Sequence, residues 1–205
     1  MKKKIRLNLG CASRPLKNYL NVDQDNLKTI KKRYPNLKKI KNLKIYNYNI
    51  FKLPFPNSSI DEIRADGLIE HLTFKEEKKF FLEIKRVTKK NGIIRLSTVD
   101  FEQAIKQWLK AKDNWIDFHR DDIEAIKKSY WFGTYTYKPI NRWGYLTATF
   151  FGSQNGKGQF HKNSYTKKKL KAICKKLNFK VLELKNFRWK KNRDHMINLI
   201  AKNND

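Results

Sequence analysis

The sequence predicts an α/β fold with a doubly wound, mainly parallel, seven-stranded sheet and one antiparallel strand near the edge of that sheet. Two observations carry the prediction. Short apolar segments of strand character alternate with amphipathic helices along the chain, and alternation of this kind favours a parallel sheet. Two strand-like segments then close the chain with only a charged loop between them, which favours an antiparallel pairing.

Each predicted strand is a short run that is apolar or alternates apolar with polar residues, and most are bounded by turn residues. The seven runs are residues 5–9, 19–23, 44–49, 60–65, 93–97, 179–187 and 195–201. Leu53–Asn57 contains two prolines and predicts a turn between the third and fourth strands.

The clearest helix follows the fourth strand. Thr73 and Glu76 have the spacing of a capping box, and an apolar stripe follows them up to Asn91-Gly92, where we expect the helix to end. Similar signals predict helices after Asp100 and after Thr166. Further helices are predicted within residues 24–43 and near 115–129.

The length of 205 residues predicts one domain, residues 1–205, with an aromatic-rich insert at about 105–160. A hydrophobic fraction of 40% fits a folded chain, and no apolar run approaches the roughly 20 residues that cross a bilayer. The basic N-terminus is not followed by the continuous apolar segment of a signal peptide. Cys11 and Cys174 are too few for a disulfide framework, so a cytoplasmic location is expected.

The formal net charge of +28 has two interpretations. A strongly basic surface is typical of proteins that bind nucleic acid or another polyanion. Codon bias is the alternative, because Lys far outnumbers Arg and because Asn, Ile, Phe and Tyr, which also have A/T-rich codons, are abundant. Arg, the better phosphate ligand, is scarce, which favours codon bias.

Four groups of candidate binding residues follow predicted strands. Gly10 lets the chain turn sharply after the first strand and lets a ligand approach the backbone. Asp23 ends the second strand, where a carboxylate can accept two hydrogen bonds from a ribose diol or can simply cap a turn. After the third strand, the Asn49 side-chain oxygen can accept a hydrogen bond from an adenine amino group or can simply cap the turn. Ile50 can pack against the face of the adenine ring.

The fourth group lies where the fourth strand runs into the capped helix. Asp66, Glu70 and His71 are expected near one rim of the sheet, because ligands bind beyond the carboxyl ends of such strands. A histidine before a helix is also commonly a cap or a packed core residue, and both interpretations of His71 stay open.

These segments resemble class I S-adenosylmethionine-dependent methyltransferases. The motifs that carry the resemblance are LNLGCASRP, YLNVD, NIFKLPFPNSSIDEI, LIEHL and RVTKKNGIIRLSTVDF, with HKNSYTKKKLKAICKKLNFKV later in the chain. They most resemble a small bacterial and phage branch that is often found with cell-surface glycan genes. The resemblance covers most of the chain outside about residues 105–150, and it implies a Rossmann-like fold.

The resemblance also implies S-adenosylmethionine as the cofactor. Carried onto this sequence, its cofactor-binding residues are Gly10, Cys11, Ala12, Ser13, Arg14, Asp23, Asn49, Ile50, Ala65, Asp66 and Gly67. Ala12 stands where the family usually has Gly, and Asn49 stands where it usually has Asp.

Methyl transfer from a sulfonium depends mainly on positioning, but a hydroxyl acceptor needs a base. His71 is the first candidate, with His161 and Asp100 after it. His161 is also interpretable as a structural loop residue. No metal site is predicted, since His71, His119, His161 and His195 lack a ligand spacing such as H-x-x-x-H.

The favoured function is methylation of a small molecule or glycan, with the aromatic segment 130–151 forming part of the acceptor pocket. That segment is alternatively a hydrophobic cover for the sheet or a dimer surface. Two other functions remain open: an RNA or DNA methyltransferase, and a non-catalytic binding protein on the same fold, for which Ala12 and Asn49 are the cue. The sequence predicts no membrane span and does not define an oligomeric state.

Overall fold

A six-stranded mixed sheet organises the part of the chain that the structure describes. The structure is a computed structural model and describes residues 4–110, 147–152, 154, 158–187 and 195–205. The strands are β1 (Arg6–Leu9), β2 (Leu20–Val22), β3 (Ile60–Asp66), β4 (Thr88–Val99), β5 (Phe179–Phe187) and β6 (Met196–Asn203).

Helices connect β2 to β3, β3 to β4 and β4 to β5. They are α1 (Leu27–Arg33), α2 (Phe74–Val87), α3 (Phe101–Lys110), α4 (Thr147–Phe151) and α5 (Lys167–Lys176), with short 3₁₀ helices at Pro35–Lys39 and Ile69–His71. The helix predicted near 115–129 and most of the predicted insert at 105–160 lie outside the described residues.

The strand order is β2-β1-β3-β4-β6-β5. The pairs that join β1, β2, β3 and β4 are parallel, as predicted, whereas β6 is antiparallel to both of its neighbours. The expected antiparallel strand near the edge is therefore only partly matched. The antiparallel strand β6 lies one position inside the edge, and the edge strand β5 runs in the same direction as β1 to β4.

The prediction of seven strands was wrong for the described residues, which form six. The predicted third strand, 44–49, makes only one bridge to β2, through Tyr46 and Val22. The Asn47 side chain beside that bridge donates to the carbonyls of Asp23 and Gln24. Side-chain bonds of this kind compete with a strand ladder, so the pairing stops after one residue.

Helix α2 begins as predicted but ends earlier. Thr73 Oγ1 accepts the Glu76 N–H at 3.3 Å, and Glu76 Oε2 accepts the Thr73 N–H at 2.8 Å, which completes the capping box. The helix ends at Val87, and β4 begins at the next residue. Asn91-Gly92 therefore lies inside β4, where Asn91 has a φ of 62°, rather than at the helix end.

One buried core joins the sheet to the helices. Phe80, Ile84 and Val87 of α2 lie in the same apolar cluster as residues of β1, β3, β4 and β6, and Leu170 and Cys174 of α5 extend it. Among the described residues no helix combines the length and apolar character needed to cross a membrane.

A polar link ties the segment 49–57 to α2. Glu83, which is 8% exposed, accepts the Leu53 N–H at 2.6 Å and two hydrogen bonds from Arg86, at 2.6 and 2.9 Å. Arg86 also donates to the carbonyls of Leu53 and Phe55. Because buried carboxylates need such partners, this link fixes where the segment lies.

Glu83→Gln is expected to lower the free energy of unfolding by about 2 kcal/mol at pH 7, since it breaks a mostly buried ion pair and leaves Arg86 without its anion. Arg86 holds the pKa of Glu83 below its usual value, so this stabilisation is present above the pKa of the unfolded carboxyl. It is lost as the pH falls through the lowered pKa of the folded state. Urea unfolding of both proteins at pH 7 and pH 3 measures the two effects.

The matched control is Glu102→Gln on α3, which removes an exposed i,i+4 ion pair with Lys106. We expect no measurable change in stability from it. Equal changes in the free energy of unfolding from the two substitutions would show that Glu83 contributes no more to stability than an exposed ion pair does.

Candidate functional site

The sheet reverses its strand order at β1, and the candidate site lies there. From β1 the chain moves to β2 on one side, and β3 then pairs on the other side of β1. Leu9 at the end of β1 pairs with Ala65 near the end of β3, so the turns that follow, at Gly10 and Gly67, lie side by side. Ligands of open α/β sheets bind at such a switch point.

Both turns use glycine in a conformation that other residues rarely adopt. Gly10 has a φ of 64° and Gly67 a φ of 65°. A Cβ on Gly10 would also lie 3.0 Å from Leu68 Cδ1, so glycine lets the two turns approach each other closely.

A cleft of about 760 Å³ opens at these turns, a size typical of ligand sites. Its walls come from the loops after β1, β2 and β3, from the segment around Asn49, from the start of α2, and from the segment before α5. The lining residues are Gly10, Ala12, Asp23, Gln24, Arg33, Tyr48, Asn49, Ile50, Phe51, Gly67, Leu68, His71, Leu72, Glu76, Gly158, Gln159, Phe160 and Lys162.

Asp23 fixes the loop after β1. Its Oδ2 accepts the Ala12 N–H at 2.9 Å, and its Oδ1 accepts the Asp25 N–H at 3.1 Å. Each carboxylate oxygen has two acceptor positions, so one on each oxygen remains for a ligand hydroxyl. Ala12 is held by this bond at a φ of 39°, which explains how a residue with a Cβ adopts a turn suited to glycine.

Asn49 and Ile50 line the cleft near Tyr48 and Phe51. The Asn49 side-chain oxygen accepts the Phe51 N–H at 2.9 Å, so Asn49 does cap its own turn. The same oxygen keeps a second acceptor position, and the amide is exposed. Turn capping and ligand binding are therefore compatible at this residue.

A pair of buried amides, missed by the sequence analysis, supports the loop after β1 from below. Asn8 Nδ2 donates to Asn21 Oδ1 at 2.9 Å and to the Arg14 carbonyl at 3.0 Å. Asn21 Oδ1 also accepts the Leu16 N–H at 2.7 Å. The available signal was an asparagine inside each of two short apolar strands, where it is buried only with a partner.

Three other predicted residues line a separate hollow of about 420 Å³ on the far side of Gly10, namely Cys11, Arg14 and Asp66. Burial raises the pKa of the Cys11 thiol to about 12, so it stays protonated at neutral pH. Asp66 accepts hydrogen bonds from Arg64 at 2.5 Å and from Ser97 at 2.8 Å. Ser13 and Ala65 line neither hollow in the described structure, and Ala65 is fully buried in β3.

Two of the three predicted catalytic residues meet beside the cleft: His71 lines it, and His161 lies against His71 without lining it in the described structure. The rings of His71 and His161 lie edge to face with their centroids 4.8 Å apart. His71 Nδ1 lies 2.9 Å from the Phe160 carbonyl, and His161 Nδ1 lies 2.8 Å from the Thr149 carbonyl. Burial lowers the pKa of His161, which favours its neutral form.

Glu70 joins the two histidines. It is 4% exposed, and its Oε2 accepts the Thr98 hydroxyl at 2.9 Å. Its backbone carbonyl accepts the N–H groups of Lys162, at 2.8 Å, and Asn163, at 3.1 Å. These bonds hold the segment that carries His161 against the 3₁₀ helix that carries His71.

Asp100 lies apart from these histidines. It is 3% exposed and precedes α3, where its Oδ1 accepts the Gln103 N–H at 3.3 Å. Its Oδ2 accepts Asn186 Nδ2 at 2.8 Å. Asp100 does not line the large cleft in the described structure, and its position suits a helix cap that links α3 to β5.

Residues 8–96 match the family model of a methyltransferase domain. A comparison with curated protein sequences finds no match. Similar solved structures include an S-adenosylmethionine-dependent methyltransferase from Methanosarcina mazei, which is 14% identical with a TM-score of 0.58, over 99% of this chain and 94% of that one.

Two further structures share the fold. The 1,6-didemethyltoxoflavin-N1-methyltransferase of Burkholderia thailandensis, solved with 1,6-didemethyltoxoflavin and S-adenosylhomocysteine, is 10% identical with a TM-score of 0.54, over 98% of this chain and 71% of that one. A complex of the Haloferax volcanii Trm112 methyltransferase activator with a putative methyltransferase contains a chain that is 9% identical, with a TM-score of 0.55, over 98% of this chain and 82% of that one.

At these identities the structural likeness concerns the fold, while the family match concerns the segment from β1 to β4 that builds most of the cleft. The chain thus has the fold of the S-adenosylmethionine-dependent methyltransferases. Together with the match of residues 8–96 to the model of a methyltransferase domain, this fold supports S-adenosylmethionine as the cofactor.

Proposed function

We propose that this chain is an S-adenosylmethionine-dependent methyltransferase that acts on a small molecule or a glycan. The observation that carries the proposal is the cleft of about 760 Å³ at the switch point between β1 and β3. A cleft of this volume has room for a nucleoside cofactor and for part of an acceptor beside it.

The residues at the switch point fit the cofactor. In the proposal, the two free acceptor positions of Asp23 receive the ribose hydroxyls, and charge-assisted bonds of this kind are among the stronger ones. Asn49 and Ile50 border the adenine, and the backbone at Gly10, Ala12 and Gly67 borders the remainder. Cys11, Ser13, Arg14, Ala65 and Asp66 would then support the site from behind rather than contact the cofactor.

His71 is the proposed base for a hydroxyl acceptor. When bound, the cofactor supplies an electrophilic methyl group, and the protein has to orient the acceptor and receive its proton. Since a carbonyl only accepts hydrogen bonds, the contact with Phe160 places the proton of neutral His71 on Nδ1. The Nε2 lone pair is then available for the proton of the acceptor. His161 orients His71 through the ring contact.

The acceptor is proposed to lie beside His71, against residues 158–162. Gly158, Gln159, Phe160 and Lys162 all line the cleft there, and Phe160 is exposed. An exposed aromatic ring beside polar side chains suits a sugar or a small ring compound. The described part of the aromatic segment 130–151, residues 147–151, does not line the cleft, and residues 130–146 lie outside the described residues.

The proposal includes three broader features of the chain. It is a single domain over residues 1–205, with the insert at 105–160 on the acceptor side. It belongs to the branch associated with cell-surface glycan genes, and it works in the cytoplasm, where its two buried, unpaired cysteines stay reduced.

Two experiments test the function itself. Calorimetry should detect binding of S-adenosylmethionine; its absence would favour the non-catalytic binding protein. Methyl-labelled cofactor incubated with separate extract fractions should label the low-molecular-weight or polysaccharide fraction. Labelling of RNA or DNA alone would overturn the proposed acceptor class.

Asp23→Ala is expected to weaken the binding of S-adenosylhomocysteine by about 1–3 kcal/mol, roughly fivefold to 150-fold, because it removes charge-assisted bonds to the ribose. The control is Asp61→Ala. Asp61 lies at the opposite end of β3, in an ion pair with Lys89, and this variant should bind normally. Unchanged affinity in a folded Asp23→Ala protein, measured by calorimetry, would remove Asp23 from the site.

If the charge of +28 reflects codon bias, nucleic-acid binding should be weak, with a Kd near or above about 10⁻⁶ M at physiological salt. Binding of structured RNA, single-stranded RNA and duplex DNA, measured by fluorescence anisotropy, should show little preference among them. A nanomolar and structure-selective complex at that salt would instead support a nucleic-acid methyltransferase.

A further inference from the structure

We propose that Glu70, His71 and His161 form a binding site for one divalent transition-metal ion, with Zn²⁺ as the best fit. One ligand atom from each residue, a carboxylate oxygen or an imidazole nitrogen, lies within 4.8 Å of the other two. The three residues come from two distant parts of the chain, the 3₁₀ helix Ile69–His71 and the segment after α4. The fold therefore assembles this cluster, which no local ligand spacing revealed.

The hydrogen bonds of both histidines suit metal binding. Each imidazole has Nδ1 at hydrogen-bond distance from a backbone carbonyl, at Phe160 and at Thr149. Because carbonyls only accept, both Nδ1 atoms carry the proton in the neutral rings, and both Nε2 atoms carry the lone pair. Metal-binding histidines are usually oriented in this way by a bond from the other nitrogen. Within the described residues neither Nε2 has a hydrogen-bond partner.

Glu70 supplies the negative charge. It is nearly buried, and only its Oε2 is bonded, to Thr98, among the described residues. A buried carboxylate is costly unless a cation or several donors compensate it. Arg14 is close enough to interact electrostatically, but a cation held between Glu70 and two imidazoles would compensate the charge directly.

The backbone makes this cluster rigid. Glu70 O accepts the N–H groups of Lys162 and Asn163, so the residues next to His161 are bonded to the residue next to His71. His161 N–H also donates to the Phe151 carbonyl at 3.0 Å. The three ligand atoms lie within 4.8 Å of one another. A tetrahedral zinc ion with bonds of roughly 2.0–2.2 Å holds its ligand atoms about 3.3–3.6 Å apart, so small side-chain rotations would complete the site.

The ligand set indicates which ions fit. Two imidazoles and one carboxylate are a known set for Zn²⁺ and for other first-row divalent ions. Mg²⁺ and Ca²⁺ prefer oxygen ligands alone. Three protein ligands leave at least one position open, as in catalytic zinc sites, and His71 lines the cleft, so this position would be reached from there.

The consequence for catalysis rests on the proposed function. An acceptor hydroxyl that takes the open position would give up its proton to solvent water more readily, because a bound divalent cation lowers the pKa of a coordinated O–H. Its oxygen would then bond to the methyl carbon as the bond from that carbon to the sulfonium breaks, and S-adenosylhomocysteine would leave. His71 cannot then act as the base, since the metal uses its Nε2 lone pair. Base and ligand are thus alternative roles of His71, in the metal-free and the metal-bound protein.

The test uses the full chain without a polyhistidine tag, stripped of metal with EDTA and dialysed. Zn²⁺ alone, titrated by calorimetry, should bind with one equivalent, and Co²⁺ should give the absorption bands of a low-symmetry site. His161→Gln and Glu70→Gln should each weaken Zn²⁺ binding at least about a hundredfold, because a ligand contributes more than the outer partners whose loss costs 10–100-fold. Zn²⁺ should also raise the Tm of the wild type but not of these variants.

The matched control is Glu76→Gln, which removes a carboxylate from the wall of the same cleft but outside the cluster, while Gln preserves the capping box. It should bind Zn²⁺ like the wild type. The inference is overturned if the wild type binds Zn²⁺ no more tightly than His161→Gln, or if Glu76→Gln weakens binding equally. His71→Gln serves as the third ligand variant if Glu70→Gln fails to fold.

Binding of S-adenosylhomocysteine, measured on the same samples, separates the two proposals. Zn²⁺ binding without cofactor binding would leave the metal site standing and remove the proposed function. Cofactor binding without Zn²⁺ binding would remove the metal site and leave the proposed function standing.

Discussion

The site depends on one constraint, the parallel pairing of β1 with β3 after the chain has already placed β2 on the other side of β1. This reversal separates the two crossover connections and leaves a gap above the ends of β1 and β3. Gly10 and Gly67 let the backbone turn sharply at the two edges of the gap. Leu68 occupies the space that a side chain at Gly10 would need. The other features of the cleft are walls added around this gap.

Those walls are fixed mainly by polar bonds between side chain and backbone. Asn8 and Asn21 support the loop after β1, Asp23 ties that loop to the end of β2, and Glu83 holds Leu53 from α2. On the remaining side the carbonyl of Glu70 binds the segment after His161. Directional bonds fix a loop where apolar contact alone would let it slide, which is what a site on loops needs.

Local signals made much of the fold predictable. The caps at Thr73 and Thr166 and the alternation of β6 depend on neighbours in sequence, and each is confirmed. The strand expected at 44–49 failed because the Asn47 side chain competes for backbone groups that a ladder would use. The contact between His71 and His161 joins residues 90 positions apart, and no spacing rule for metal ligands reaches that far. The candidate residues after β1, β2 and β3 could be expected near one another from the sequence, because the ends of parallel strands meet at one edge of a sheet.

Two departures from the usual methyltransferase motifs, Ala12 and Asn49, are each accommodated by a hydrogen bond. In each case a hydrogen bond helps to fix the backbone conformation of the loop that contains the residue. The Asp23 carboxylate binds the Ala12 N–H and holds a left-handed conformation despite the methyl group. The Asn49 oxygen binds the Phe51 N–H and closes the turn without a charge. Since both acceptors keep a free position toward the cleft, the departures alter the electrostatics of the site more than its shape. Because Asn49 carries no charge, Asp23 is the one carboxylate among the residues proposed to contact the ribose and the adenine. In the proposal, charge-assisted binding of the nucleoside therefore depends on Asp23.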